Sequence, residues 1–184
     1  MKTLRIAIFI LVALAQLSVP ALMAWGRMQT LAHGRVWKFK TAPIDPEDAV
    51  RGRYVRLNFL AEDFTQPEKF ESADPVYAVL KETSDGFAEI DHTSTVPVSG
   101  DNVIKVEPGG NWDGRQHIVI PFTQFWITEK SAPEAEKAYL ENSRRGKENA
   151  FVTVRVRNND AALEQLYIDN QPLPDYLRAL AAKK

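Results

Sequence analysis

The segment Arg53–Phe59 reads Arg-Tyr-Val-Arg-Leu-Asn-Phe, and it alternates polar with apolar side chains more regularly than any other stretch of the chain. Its apolar members occupy every second position: Val55, Leu57 and Phe59. Alternate side chains of a β-strand point to the same face of the sheet. We therefore predict a half-buried strand that directs these three side chains into the core, while Tyr54 and Arg56 face water or a partner.

On either side of this segment, similar runs recur at short intervals and are separated by turn signals. The runs predicted as strands are residues 35–41, 75–82, 87–93, 102–106, 117–121, 122–128, 151–157 and 163–169. Asp85-Gly86 and Asn158-Asn159 each separate two of these runs and favour hairpin turns, and a longer turn is predicted at Gly109–Gly114. Because no strand–helix–strand alternation occurs, we expect a mainly β domain, folded as an antiparallel sandwich or a partly closed barrel.

One or two short helices are predicted within this domain. Ser131–Glu134 has the pattern of a capping box with proline in the first turn, so a helix begins there and runs to about Arg145. Its apolar side contains only three residues: Ala135, Ala138 and Tyr139. This small apolar side predicts a position at the surface. A second short helix is predicted at Pro174–Ala182, and Asp45-Pro46 predicts a single helical turn.

The N-terminal segment Ile6–Gly26 is apolar, apart from its closing glycine and interruptions at Gln16, Ser18 and Pro20. The hydrocarbon core of a bilayer is about 30 Å thick and needs roughly 20 helical residues at about 1.5 Å each. Trp25 follows the apolar run, where an aromatic side chain favours the membrane interface. We therefore predict one transmembrane helix.

A cleaved signal peptide is the alternative for this segment, because it also combines a basic start with an apolar run. Cleavage after Ala24 would place Leu22 at the third-last position, where a small residue is needed. We therefore expect an uncleaved signal-anchor. The chain then has two units: residues 1–26 as the anchor and residues 27–184 as one soluble domain.

Basic residues flank the apolar segment on both sides, so the positive-inside rule does not select an orientation. Lys2 and Arg5 precede it, and four basic residues follow it: Arg27, Arg35, Lys38 and Lys40. A short N-terminal tail before a signal-like run favours a cytoplasmic N terminus. We therefore expect a single-pass protein of the inner membrane whose domain lies in the periplasm.

The charges of the chain nearly balance, with 23 basic and 24 acidic residues, so no nucleic-acid partner is expected. One face carries several basic residues: Lys38, Lys40, Arg53 and Arg56. This face either attracts anionic lipid headgroups or is an ordinary solvated strand edge. The absence of cysteine excludes disulfides, thiolate metal sites and cysteine nucleophiles.

No arrangement of residues in the sequence specifies a reaction. The three histidines lack ligand spacing, so no metal or other cofactor is predicted: His33, His92 and His117. Neither a GxSxG elbow nor an SxxK motif occurs. Four acidic residues are candidates for acid–base chemistry: Asp85, Asp91, Asp113 and Glu129. Turns alone account for Asp85 and Asp113, and Gly109–Asn111 either cradles an anion or forms a hairpin loop.

Residues 52–59 resemble the motif that names the GDYXXLXY family of bacterial membrane-anchored proteins. Three positions match the motif: Gly52, Tyr54 and Leu57. Two positions depart from it, because Arg53 stands in place of Asp and Phe59 in place of the last Tyr. Further blocks resemble the family in the same order along the chain: residues 41–48, 125–129 and 168–173. The resemblance therefore covers residues 36–173.

The resemblance implies no particular reaction, because the family has no established activity. Its members are often encoded beside a polytopic membrane protein, which implies a membrane partner. If the acid of the family motif is catalytic or binds a metal, Arg53 cannot take that role. We expect a structural role for the motif, in which Gly52 permits a tight approach while Leu57 and Phe59 fill the core.

The leading hypothesis is a non-enzymatic accessory domain that binds another membrane protein. The residues of the candidate partner surface are Arg56, Trp112, Phe125, Trp126 and Glu129. The alternative is an envelope hydrolase that uses Glu129 or a nearby Asp. A pocket that holds Glu129 with a second titratable group favours the hydrolase, whereas a flat apolar patch favours the partner-binding domain.

Overall fold

The computed structural model describes residues 2–42, 54–64, 76–112, 115–143 and 149–182. Several sequence predictions lie outside the described residues: the turn at Asp45-Pro46, motif residues Gly52 and Arg53, the side chain of Trp112, Asp113, and the end of the helix predicted to reach Arg145.

The chain begins with helix α1, Lys2–His33, which is long and apolar enough to cross a membrane by its length and composition. The helix continues past Gly26, where the apolar run ends, to His33. Residues 27–33 contain no proline or glycine, so nothing in them stops the helix before Gly34. The backbone N–H of Gly34 donates to the Thr30 carbonyl at 2.8 Å and closes the last turn.

The rest of the described chain is mainly β, as predicted, and all its strand pairs are antiparallel. The strands are β1 Arg35–Ala42, β2 Tyr54–Arg56, β3 Asn58–Phe59, β4 Val76–Glu82, β5 Ala88–Ser94, β6 Val103–Trp112, β7 Arg115–Val119, β8 Gln124–Trp126, β9 Ala150–Arg157, β10 Asp160–Ile168 and β11 Gln171–Pro172. They form a sheet of order β11-β10-β9-β1-β3, a sheet of order β5-β4-β6-β7, and a ribbon of β2 and β8. The described part of the domain also contains a short 3-10 helix, Leu60–Asp63, and two short α-helices, α2 Ala132–Asn142 and α3 Leu173–Ala181.

The hairpin turns form where the sequence predicts them. Gly86 has a φ of +79°, a conformation that glycine adopts without a steric penalty, and it closes the turn between β4 and β5. Asn158 and Asn159 have φ angles of 48° and 72° and join β9 to β10. Asparagine is one of the few other residues that tolerate this region, which explains the two-residue hairpin.

The longer turn predicted at Gly109–Gly114 is wrong, because strand β6 continues through Gly109 to Trp112. A register shift between Pro108 and Asn111 inserts the two glycines as an irregularity in the pairing with β7. A Cβ atom on Gly109 would lie 3.3 Å from the backbone carbon and oxygen of His117. The glycines therefore allow a close approach of two strands here and do not form a loop.

The opening segment of the sequence is divided at Leu57 between two strands, although its alternation is regular. β2 pairs with β8, whereas β3 pairs with β1 of the five-stranded sheet. Between them, the Leu57 N–H donates to the Thr123 carbonyl at 2.8 Å. The predicted inner face is confirmed, since the apolar members are at most 2% exposed: Val55, Leu57 and Phe59. The apolar face of this segment thus connects the β2–β8 ribbon to the five-stranded sheet, and the two curve into a half-open barrel.

The core contains side chains from both large sheets and from α2. Phe39, Phe59 and Phe122 pack edge to face, with ring centroids 5.2 to 6.0 Å apart. Helix α2 has a small apolar side, but this side is buried and not superficial as the sequence predicts. Tyr139 is 1% exposed, and its hydroxyl donates to the Ala42 carbonyl at 3.3 Å. Burial raises the pKa of Tyr139 to about 12, so the phenol stays neutral.

Candidate functional site

The C-terminal turns of α1 are packed on the domain and do not hang from it as a loose tether. α1 contacts β9 and β10. The Arg27 guanidinium donates to the Ala161 carbonyl at 3.0 Å. Ala161 lies near the start of β10, whereas β10 pairs with β11 only at its other end. One turn later, Thr30 is only 4% exposed. The helix therefore lies against the outer side of the β9–β10 hairpin.

Two arginines of β9 fasten this joint. Arg155 donates to the Gly34 carbonyl at 3.2 Å, and Arg157 donates to the Gln29 side-chain oxygen at 3.4 Å. A Cβ atom on Gly34 would lie 2.5 Å from the Thr30 carbonyl oxygen and 3.1 Å from the Val156 nitrogen. Only glycine fits at this position, where the helix meets the sheet, because any side chain would collide with the backbone.

A groove opens beside this joint, between α1, β8 and the outer edge of β10. We call it the β8 groove. Its volume is about 560 Å³, within the range of small-molecule and recognition sites. The lining residues are Arg27, Pro121, Phe122, Thr123, Gln124, Phe125, Trp126, Leu163 and Glu164.

The two aromatic residues of β8 in this groove have different surroundings. Trp126 is 66% exposed, and its ring lies 5.3 Å from the ring of Tyr54, its neighbour across the ribbon. Phe125 pairs with buried Val55 and packs partly against the core. Tyr54 thus fixes Trp126 from one side, while most of the indole stays accessible.

Two charged side chains line the groove, and both are bonded to neighbouring groups. The Glu164 carboxylate binds Arg155 at 2.9 to 3.0 Å, so it is held as part of the joint. Glu164 is the residue skipped by the register shift in β10 between Leu163 and Gln165. Arg27 uses one guanidinium nitrogen on the Ala161 carbonyl, which leaves further N–H donors of the same group directed elsewhere. The groove therefore offers an aromatic surface and a cation.

A second groove of about 460 Å³ runs along α1 next to the first. We call it the α1 groove. Its lining residues are Leu22, Met23, Gly26, Arg27, Thr30, Asp160, Ala161 and Ala162. Arg27 lines both grooves, so the two are adjacent.

The residues predicted as a partner surface do not form one flat patch. Trp126 and Phe125 both line the β8 groove, but from opposite faces of the strand. Arg56 is exposed and lies opposite Gln124 in the ribbon. Glu129 is exposed in the turn before α2 and does not line the β8 groove. It therefore does not share this groove with a second titratable group, Glu164.

Of the other acidic candidates, Asp85 and Asp91 lie in ion pairs at the surface and do not line this groove. A hydrogen bond from Lys40, at 2.6 Å, is the main cause that lowers the pKa of Asp85 to about 2. The His92 ring, 2.8 Å away, lowers the pKa of Asp91 in the same way. A general acid needs a raised pKa, so both shifts run against that role. Within the described part of the chain, no group of three or more His, Asp or Glu residues is arranged to hold a metal ion.

Comparison with protein-family models matches residues 16–166 to the family described as GDYXXLXY protein. The chain belongs to the GDYXXLXY family. The match includes the C-terminal half of α1, the ribbon and the β8 groove, and it ends before residues 168–173, which resemble the family in sequence. No curated protein and no solved structure matches the chain.

The motif of this GDYXXLXY protein joins the core to the groove. Leu57 and Phe59 belong to the core, whereas Tyr54 supports Trp126. Sequence reasoning misses the residues of the joint, above all Gly34 and Arg155, because each contacts partners that are distant in the chain. A signal for one of them exists in the sequence, since Gly34 stands between a helical run and a strand, where a helix end is expected.

Proposed function

We propose that this GDYXXLXY protein is a non-enzymatic accessory protein that binds another membrane protein through the β8 groove. The observation that carries the proposal is the fixed joint between α1 and the domain. Residues 6–25 of α1 form the apolar run that begins after Arg5 and ends before Gly26. At about 1.5 Å a residue, this part of the helix is about 30 Å long, which matches the hydrocarbon core.

From this length we infer that Leu22 and Trp25 lie close to the membrane surface and that the β8 groove lies directly above it. Arg155 and Gly34 hold the domain in one orientation on the helix. A groove at that level therefore exposes its lining residues to a protein that lies beside the helix. Arg27 lines both grooves, and Met23 lies one turn nearer the membrane in the α1 groove, so the β8 groove adjoins the membrane-spanning part of α1. A neighbouring membrane protein is the partner that meets both.

The chemistry of the groove supports a protein partner. The groove exposes a tryptophan and an arginine, residue types that dominate binding energy at protein interfaces, beside the partly buried side chains of Leu163 and Phe125. Trp126 is held on Tyr54, so little side-chain entropy is lost when it is covered.

The cellular setting is part of the proposal. We place the uncleaved helix in the inner membrane with the domain on the periplasmic side. A reporter that is active only in the periplasm, fused after Lys184, is expected to be active, and a cytoplasmic reporter inactive. Recovery of a shortened form that begins near Trp25 in the soluble periplasm would contradict the anchor.

The binding surface is tested by a photoreactive amino acid at Trp126 in the full-length chain, activated in intact membranes. We expect an adduct with an integral membrane protein. Val96 provides a matched control, because it is 68% exposed but does not line the β8 groove. The same adduct should weaken when Arg27→Gln is added, since Arg27 lines the groove as well.

Equal adducts from Val96 and Trp126, or an adduct from Trp126 with soluble proteins alone, would contradict the proposed surface. Purification of the wild-type chain and of Trp126→Ala from gently solubilised membranes gives an independent measurement. The protein that forms the adduct should accompany the wild type and be depleted with the variant.

A further inference from the structure

Gln16 is a polar residue at a membrane depth where polar groups need partners. Residues 3–21 of α1 do not pack on the domain. Gln16 lies six residues before Leu22, or about 9 Å along the helix, and therefore within the hydrocarbon core if Leu22 marks the surface. Among the described residues, none hydrogen-bonds the Gln16 side chain, whereas the nearby Ser18 hydroxyl donates to the Ala15 carbonyl at 2.8 Å.

Pro20 leaves a second group without its partner at the same position. In a regular helix the N–H of residue 20 donates to the carbonyl of residue 16, but proline has no N–H. The backbone carbonyl of Gln16 and its side-chain amide therefore both lie on α1 at one depth. Lipid offers no hydrogen bonds, so such groups in a membrane favour a neighbouring helix.

The Gln16 face of the helix lies beneath the domain. Met23, Arg27 and Thr30 follow Gln16 by seven, eleven and fourteen residues, spacings close to whole turns at about 3.6 residues each. All three line the α1 groove, and Thr30 is buried against the sheet. The domain therefore overhangs the membrane on the side to which Gln16 points.

This overhang determines which helix can lie against Gln16. Packed helices lie about 8–10 Å apart. In a second copy of this chain, α1 would run parallel and continue beyond the membrane to His33, into the space occupied by β10 of the first copy. Only a helix that ends or turns at the membrane surface fits under the domain.

We propose that α1 pairs, through the face that contains Gln16, with a transmembrane helix of a different integral membrane protein. That helix carries a hydrogen-bonding side chain at the depth of Gln16 and ends at the membrane surface below the β8 groove. This inference rests on the proposed function and adds a contact within the membrane. Recognition then uses two levels: an amide in the bilayer and an aromatic groove above it.

The test places a photoreactive amino acid at Met23, on the Gln16 face, in the full-length chain in native membranes. Leu14 is the control position, because two residues correspond to about 200° around a helix and direct it to the opposite side. We expect Met23 to form an adduct with one integral membrane protein, mapped by mass spectrometry to a transmembrane segment with a polar side chain. Leu14 should not form that adduct.

Two variants test whether the contact requires the amide of Gln16 itself. Gln16→Leu should lower the Met23 adduct roughly three- to tenfold, the range expected for loss of one hydrogen bond between membrane helices. The double variant Gln16→Leu/Leu14→Gln keeps the composition and apolar content of α1 but moves the amide to the other side. It should not restore the adduct, and carbonate washing should show that both variants remain in the membrane.

Four results would overturn the inference: an adduct of two copies of this chain, equal adducts from Leu14 and Met23, no protein adduct from Met23, or no effect of Gln16→Leu. If the Trp126 adduct persists while Met23 gives none, the contact in the membrane is wrong and the proposed function stands. If Trp126 also gives none, the proposed function fails with it.

Discussion

The two faces of the β2–β8 ribbon consist of adjacent residues with opposite surroundings. Val55 and Phe125 pair on the inner face and pack with the core, whereas Tyr54 and Trp126 pair on the outer face and leave the indole open to solvent. The alternation of a strand separates the two sets by a single residue. Stability and recognition therefore occupy the same short strands and can be changed independently.

Two glycines, one within α1 and one directly after its end, show a similar contrast. A Cβ atom on Gly34 would collide with the backbone of the helix end, whereas a Cβ on Gly26 would meet nothing within 4 Å. Packing requires glycine at position 34, whereas Gly26 lines the α1 groove and faces open space.

The largest effect is expected from Leu57→Ala. Leu57 is fully buried at the point where the segment passes from one sheet to another. Emptying a buried leucine position costs about 2–5 kcal/mol. Chemical denaturation of the full-length chain in detergent micelles, followed by tryptophan fluorescence, measures the free energy of unfolding of the domain. A loss smaller than that of Arg56→Ala would reverse the assignment of the two faces.

A smaller loss is expected from Gly34→Ala, about 1–3 kcal/mol, as is typical of overpacking. The added methyl must displace Thr30 or Val156, so the joint between α1 and the sheet should loosen. Gly26→Ala is the matched control, and it should be neutral or raise stability by about 0.5–1 kcal/mol because alanine favours helix. If the two variants behave alike in denaturation, the helix is not fixed to the domain.

Local patterns predict most of the fold but little of the candidate site. The alternation around Leu57 and the turn residues at Gly86 and Asn158 depend on neighbours in sequence, so their structures are predicted correctly. The site depends on Arg27 reaching Ala161 and on Arg155 reaching Gly34, contacts between residues more than a hundred positions apart. Such contacts leave no local pattern in the sequence. From the sequence alone, Arg27 is therefore interpreted only as a basic residue that flanks a membrane segment.

Trp126→Ala should cost about 1 kcal/mol of domain stability, because it removes a tilted aromatic pair with Tyr54 and little buried surface. Its effect on partner binding should be far larger than its effect on stability. Denaturation and the membrane purification described above separate the two effects. If the domain unfolds in this variant, the outer face of the ribbon also holds the fold, and the contrast between the faces disappears.

Arg56→Ala tests the outer face beside the tryptophan. Arg56 is exposed, and exposed positions generally change stability by less than about 0.5 kcal/mol. The same denaturation measurement applies, with Leu57→Ala as the buried comparison one residue away. A register slip of one residue would exchange the two results, because it would turn every side chain of the strand to the other face.

The smallest effect is expected at the hairpin turn between β4 and β5, where Lys40 and Thr83 hydrogen-bond the exposed Asp85 carboxylate. These bonds lower the pKa of Asp85 from 3.8 to about 2, chiefly through Lys40. Because the pKa in the folded state lies below the unfolded value, the pair stabilises the fold above pH 3.8, and this contribution disappears as the pH falls towards 2. NMR titration of the carboxyl should report the low pKa, and Lys40→Met should move it up towards 3.8. Denaturation at neutral pH should differ little between Lys40→Met and the wild type, since exposed ion pairs contribute little to stability. A large loss would mean that open polar surface stabilises the domain as strongly as its packed face, against the contrast drawn between the faces of the ribbon.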